Sequence, residues 1–126
     1  MERITEIFVL LDNKPSTLGN LCTYLAEEEI NIEAIGVFHD TAKIYVKNLN
    51  KTVKLLQKLN YTIELRDVLL IDIENRPGAL AEITTKLGDE GINIDYCYGT
   101  ISHKPNMNTV VLDVNKIEEA MKVLKD

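Results

Sequence analysis

The sequence contains little of what catalytic and nucleic-acid-binding proteins usually need. Its 126 residues include two histidines and two cysteines, with no Cys-x-x-Cys pair. Histidine is the usual carrier of general acid–base chemistry, so its scarcity argues against an enzyme. There are 14 basic residues against 20 acidic ones, a net charge of −6, whereas a nucleic-acid surface needs clustered lysine and arginine. We therefore expect neither catalysis nor nucleic-acid binding.

Membrane segments and metal-binding patterns are also missing from the sequence. No apolar run approaches the roughly 20 residues that span a bilayer, and the N-terminal stretch MERITEIF has no signal-peptide pattern. His39 and His103 stand alone, without ligand-spaced neighbours, so we predict no metal and no cofactor. We interpret Cys22 as a small core residue, and Cys97 as a residue that packs in the core or at an interface. Their small number favours a reducing, cytoplasmic setting without membrane association.

The chain contains the same pattern twice. The stretches NKPSTLGNLCTYLAEEEINI, 13–32, and NRPGALAEITTKLGDEGINI, 75–94, align without a gap, so that position 13 corresponds to position 75. Nine of the 21 positions from 13 to 33 carry the same residue as their counterparts in 75–95. Such an internal repeat predicts two similar structural units.

Each repeat predicts alternating strands and helices. An apolar strand leads into an Asn-x-Pro loop, an amphipathic helix, two strands and a second helix. Proline suits the start of the helix, and Gly91 suits a left-handed cap at its end, where the first repeat has Glu29 and a less regular end is expected. The SHKPNMN turn is expected to make the second repeat longer by roughly four residues. The first repeat closes with a fourth strand, YTIEL, which the second repeat lacks.

The fold prediction is therefore α+β, with two ferredoxin-like sandwiches in tandem. Domain 1 spans 1–66 in the order βαββαβ, and domain 2 spans 67–126 in the order βαββα, without its last strand. In this topology the fourth strand lies beside the first. Its absence leaves the strand at 68–73 with an open edge. We expect residues 61–66, the other repeat or a second chain to cover that edge.

The two aligned stretches resemble the ACT domain, a small regulatory module that binds amino acids. The resemblance covers essentially the whole chain and implies a stand-alone tandem ACT protein. ACT domains pair side by side, and the effector lies where the loop after the first strand faces a neighbouring domain. The implied ligand-binding residues of the second repeat are Asn75, Arg76, Pro77, Gly78, Ala79 and Leu80, with Asn93 at the facing strand. Those of the first repeat are Asn13, Lys14, Pro15, Ser16, Thr17 and Leu18, with Asn31 at the facing strand.

Two features of the sequence depart from the family pattern. Ser16 replaces the usual glycine, and its Cβ limits how closely a ligand approaches the backbone. Leu11 and Ile73 stand where some members carry a polar residue. The identity of the ligand and the use of the first repeat therefore stay open.

The chemistry of the loop suits an amino acid independently of the family. Free backbone N–H groups and the partial positive charge of a helix start favour a carboxylate. Glu82 or Asp95 would attract an ammonium group. Asparagine, proline and glycine also occur in turns for purely structural reasons, and Lys14 and Arg76 are either solvated or bind the carboxylate.

The functional prediction is a non-enzymatic regulatory protein. It would bind a small amino acid between ACT units and signal by association with a regulated enzyme or transcription factor, as a homodimer or higher homo-oligomer. The alternative is a dimerisation module that keeps the ACT-like fold without ligand binding. An RNA-binding module shares the βαββαβ order, but the sequence lacks its basic and aromatic sheet pattern.

Overall fold

The computed structural model describes residues 1–125. It contains six strands and four helices within that range. In chain order they are β1 (Glu2–Leu10), α1 (Thr17–Glu27), β2 (Ala34–Phe38), β3 (Thr41–Tyr45), α2 (Leu49–Lys58), β4 (Ile63–Glu74), α3 (Ala79–Asp89), β5 (Ile94–Ile101), β6 (Met107–Val114) and α4 (Ile117–Leu124). None of the helices within residues 1–125 is long and apolar enough to cross a membrane.

The chain divides into two compact units whose boundaries fall inside strands. One unit is Thr5–Arg66, and the other combines Met1–Ile4 with the chain from Asp67 onward. The predicted domains, 1–66 and 67–126, differ from these units in residues 1–4. The mixed α+β, ferredoxin-like architecture agrees with the prediction.

In the unit Thr5–Arg66 the strands lie in the order β2-β3-β1-β4. The β3 strand pairs antiparallel with both β1 and β2. Alternate residues of the strands face helices α1 and α2, as the period of two in a strand requires. This core is formed by Ile7, Val9, Leu11, Leu21, Leu25, Ile30, Ala42, Ile44, Val46 and Leu56.

In the second unit the order is β1-β4-β6-β5, where β1 contributes residues 2–4. The β6 strand pairs antiparallel with β4 and β5. Helices α3 and α4 cover a separate core. It is formed by Leu69, Leu87, Ile92, Val110, Leu112, Val114, Ala120 and Leu124.

The strand β4 corrects the sequence prediction. The predicted fourth strand of the first repeat and first strand of the second repeat are one strand, Ile63–Glu74, because no residue between them breaks an extended backbone. The edge that lacked a predicted partner lies beside β1. Arg3 secures this end, since its guanidinium forms ion pairs with Asp67 at 2.9 Å and with Glu118 of α4 at 2.5 Å. Both carboxylates raise the pKa of Arg3, Glu118 more strongly.

The ends of α1 and α3 have the same geometry, contrary to expectation. Glu29 has φ 57° and Gly91 has φ 71°. In both cases the following residue donates its N–H to a carbonyl five residues earlier, Ile30 to Leu25 and Ile92 to Leu87, each at 2.9 Å. This is the Schellman motif. The glutamate adopts the left-handed conformation because these bonds and the burial of Ile30 outweigh its strain.

The turn before β6 is longer than the sequence suggested. In the first repeat Val37 pairs with Ala42, which is five positions further along the chain. In the second repeat the equivalent residue, Gly99, pairs with Val110, which is eleven positions further along. The second turn is therefore longer by six positions rather than four. The Asp72 carboxylate holds this turn by accepting hydrogen bonds from Ser102 at 3.3 Å and Thr109 at 2.5 Å. These bonds and Lys104 lower the pKa of Asp72, Thr109 most strongly.

Candidate ligand-binding site

The repeated loop joins a strand to a helix through a residue with positive φ. Gly78 precedes α3 with φ 89°, and Ser16 precedes α1 with φ 76°. Neither residue provides a side-chain cap to its helix, so the first-turn N–H groups find no side-chain acceptor there. Pro15 and Pro77 lie before these N-cap residues rather than inside the helices, which corrects the predicted helix starts. Proline here fixes the turn that leads into the left-handed residue.

Replacing Ser16 by glycine is expected to stabilise the protein. A side chain at φ 76° is strained, and glycine relieves that strain at some cost in unfolded-state entropy, for a net gain of about 0.5–1 kcal/mol. Chemical denaturation measures the change. The matched variant is Gly78→Ser, whose Cβ meets nothing closer than Arg76 Nη1 at 3.8 Å, so backbone strain alone should make it lose stability. A loss of stability in Ser16→Gly would contradict the argument.

Arg76 is held between two carboxylates beside the loop. Its Nε donates to Glu74 at 2.6 Å, and its Nη2 donates to both oxygens of Glu82 at 2.8 and 3.0 Å. Glu74 first and then Glu82 raise the pKa of the guanidinium. Arg76 is therefore paired rather than freely solvated. A ligand carboxylate would have to compete with Glu74 or Glu82 for it.

The two loop asparagines make side-chain contacts within their own units. Asn75 accepts a hydrogen bond from Asn108 Nδ2 at 3.2 Å, and its backbone N–H donates to the Asn106 carbonyl at 2.9 Å. In the first repeat, the Asn13 amide lies 3.2 Å from Nδ1 of His39. Each asparagine thus ties its loop to the turn between the second and third strands of its repeat. Orientation of the loop explains these contacts without a ligand.

Asn93 and Asn31 do not face the loops of their own units. Asn93 precedes Ile94, which pairs with Val114 at one end of β6, whereas the loop follows Glu74, which pairs with Met107 at the other end. The two ends of this strand are roughly 23 Å apart at the usual rise per residue. Asn93 donates to Asp95 at 2.9 Å, and Asn31 donates to Glu33. Asp95 is thereby excluded as the ammonium partner within this unit.

A cavity of about 490 Å³ adjoins the loop of the second repeat. Three predicted residues, Arg76, Ala79 and Leu80, form part of its wall. Asn75 contacts the wall residue Asn108, whereas Pro77 and Gly78 are not part of the wall. The remaining lining residues are Ile73, Glu74, Cys97, Gly99, Thr100, Asn108 and Val110.

Sequence reasoning missed the β5 side of this cavity. Cys97 and Gly99 pair with Leu112 and Val110 of the core, so they lie on the helix-covered side of the sheet. Cys97 is exposed rather than part of the core, and partial burial raises the pKa of its thiol. Tyr96 and Tyr98 share the opposite side, with ring centroids 6.2 Å apart.

The loop of the first repeat is more open to solvent. Lys14 lies 3.7 Å from Asp12, and both side chains are largely exposed. Leu18 is exposed, as is its repeat equivalent Leu80. In the part of the chain that the structure describes, no group of three or more His, Cys, Asp or Glu side chains is placed to hold a metal ion.

Comparisons with known proteins agree with this architecture. The family model of the ACT domain matches residues 68–126. Comparison with curated proteins gives no match in sequence. Among solved structures, the protein BT0572 from Bacteroides thetaiotaomicron is similar over 98% of this chain and 87% of its own, with 29% identity and a TM-score of 0.87.

Regulatory domains of a kinase share the fold. The regulatory subunit of aspartate kinase from Thermus flavus aligns with 98% of this chain and 90% of its own, with 16% identity and a TM-score of 0.70. The corresponding subunit from Thermus thermophilus aligns with 98% of this chain and 95% of its own, with 16% identity and a TM-score of 0.68. At this identity the likeness concerns the fold. The resemblance to the ACT domain rests on the family model, which covers residues 68–126, just under half of the chain.

Proposed function

We propose that the chain is a non-enzymatic regulatory protein that binds an amino acid at its second repeat. The observation that carries this proposal is the cavity between the repeated loop and β5, which is bounded by Arg76, Leu80 and Gly99. Its volume falls in the range of small-molecule sites. The uncapped start of α3 would provide backbone N–H groups for a carboxylate.

The charges around the cavity support an α-amino acid rather than a simple anion. Arg76 would bind the carboxylate, and Glu74 or Glu82 would attract the ammonium group. When a zwitterion enters, its carboxylate would pair with Arg76 and its ammonium group with the glutamate that Arg76 releases. Each protein charge would therefore keep a partner. A lone anion would displace a carboxylate and leave it unpaired beside apolar residues.

We further propose that both repeats are ACT domains and that ligand binding acts through association. The first repeat shares the loop geometry, the helix ends and the strand order of the second. The strands β2 and β5 lie at the edges of the sheets in their units, the positions at which a homodimer or higher oligomer would form. The output would be contact with a regulated enzyme or transcription factor, in the cytoplasm as the two free cysteines favour.

The alternative function is an association module without a ligand. The ion pairs of Arg76 with Glu74 and Glu82 favour it, because they satisfy this cation within the protein. The two functions differ in one respect that can be measured, the saturable binding of an amino acid.

Calorimetric titration of the full chain with the twenty amino acids tests the proposal. We expect one or a few to bind, and Arg76→Ala to weaken them roughly tenfold or more, because a charge-assisted hydrogen bond is lost. The exposed Lys54 of α2 provides a control variant, Lys54→Ala, which should bind as the wild type does.

Two results would contradict this proposal. If the folded protein binds none of the twenty amino acids at millimolar concentration, the proposal is wrong and the association module without a ligand is the remaining function. Binding that survives Arg76→Ala but is lost in Lys14→Ala would place the site in the first repeat.

A further inference from the structure

We infer that the chain binds one amino acid with a compact apolar side chain, in the second repeat only, because Gly99 leaves open a space that Val37 fills in the first repeat. This inference rests on the proposed function and specifies its stoichiometry, its ligand class and the residue that determines both.

The strand pairing shows that Gly99 and Val37 occupy the same structural position. Gly99 pairs with Val110, which in turn pairs with Ile71. Val37 pairs with Ala42, which in turn pairs with Val9. Ile71 and Val9 are themselves repeat equivalents, since each lies at the same distance before the asparagine of its loop. The two positions therefore have the same neighbours across three strands.

Two residues of β5 that line the cavity on the helix-covered side have larger counterparts in β2. They are Cys97 and Gly99 in β5, and Ile35 and Val37 in β2. Both counterparts are apolar, and Val37 is 40% exposed. The first repeat thus places larger side chains where the second has open space beside its loop.

The backbone conformation at position 99 does not require a glycine. The positive-φ glycines within residues 1–125 are Gly78 and Gly91. A Cβ at Gly99 would meet the Thr109 carbonyl oxygen at 3.9 Å, an ordinary contact. A valine fits the strand there, as Val37 does in β2, so the fold does not account for the glycine.

The lining of the cavity selects the ligand class. Glu74 and Arg76 place one negative and one positive charge on its wall, 2.6 Å apart, and these complement the two charges of a zwitterion. The rest of the wall includes Leu80, Cys97 and Val110. An aliphatic side chain gains by burial against these residues, whereas a charged side chain would lose its hydration there. The occupant is therefore an aliphatic amino acid rather than a basic or acidic one.

Calorimetric titration with L-leucine, L-isoleucine, L-valine, L-methionine, L-lysine and L-aspartate tests this inference. It uses the full wild-type chain, Gly99→Val, and the matched reverse variant Val37→Gly. We expect an aliphatic amino acid to bind wild type at one site per chain. Gly99→Val should weaken it roughly tenfold or more, because the added side chain overpacks the occupied cavity. Val37→Gly should bind as wild type does, and thermal unfolding should show that both variants are folded.

The outcomes separate this inference from the proposed function. Undiminished binding to folded Gly99→Val, or two sites per wild-type chain, overturns the inference and leaves the regulatory function standing. Preference for lysine or aspartate overturns the ligand class. Binding of no amino acid to wild type overturns the proposed function itself, and this inference with it.

Discussion

Deleting residues 1–4 is expected to destabilise the unit that begins at Asp67. Ile4 is buried to 5% exposure, and Arg3 joins Asp67 and Glu118. Burial of an isoleucine side chain contributes about 1.5–3 kcal/mol, and each backbone hydrogen bond to β4 adds about 1 kcal/mol. The deletion should therefore lower the free energy of unfolding by about 3–5 kcal/mol, a large share of an ordinary domain's stability.

Hydrogen exchange locates the damage from this deletion. Amides of β4 from Asp67 onward and of β6 should exchange faster, while those of α1 and β3 should change less. Glu2→Ala alters an exposed side chain of the same strand and should stay within about 0.5 kcal/mol of wild type. Faster exchange in α1 and β3 with unchanged β4 would show that residues 1–4 belong to the other unit.

Truncating Leu112 to alanine is expected to cost about 3–5 kcal/mol, the range for a buried leucine whose site cannot collapse. Leu112 is fully buried. It lies in the middle of its sheet, paired with Leu69 on one side and Cys97 on the other. Regular strands on both sides prevent the backbone from closing the cavity. Denaturant unfolding measures the loss in the free energy of unfolding, provided that both proteins show the same dependence of that free energy on denaturant concentration.

The matched control for this truncation is Leu65→Ala, since Leu65 is 46% exposed. We expect less than about 1 kcal/mol there, because little area leaves water on folding. Equal losses in the two variants would contradict the assignment of Leu112 to a packed core.

Local patterns in the sequence predicted the elements well, and strand partners poorly. The helical spacing of Leu21 and Leu25 and the apolar run at positions 110–112 in β6 identify the elements directly. No local pattern shows which strands lie beside β4, or that β1 ends next to it. Those pairings join parts of the chain that are far apart in sequence. They depend on which strand edges are still without a partner once the rest of the chain has folded.

The candidate site shows a different limit of sequence reasoning. Identity between the repeats points to Asn31 and Asn93, which lie away from the loops of their units. It does not point to Gly99, because Val37 stands at the equivalent position. A search for shared residues finds what maintains the common fold. A cavity present in one repeat is found by comparing equivalent positions for differences in side-chain size.

The discontinuity of the second unit has a consequence for how the chain folds during synthesis. Residues 5–66 are contiguous, so their unit has all its parts as soon as Arg66 has been made. Residues 1–4 are synthesised earlier still, but their unit is completed only by the chain from Asp67 onward. To complete this unit, residues 1–4 must pair with strand β4, from which they are separated by all of residues 5–66. Such non-local pairing slows folding. Translation thus imposes an order, in which the second repeat is the last part of the described chain to reach its final structure.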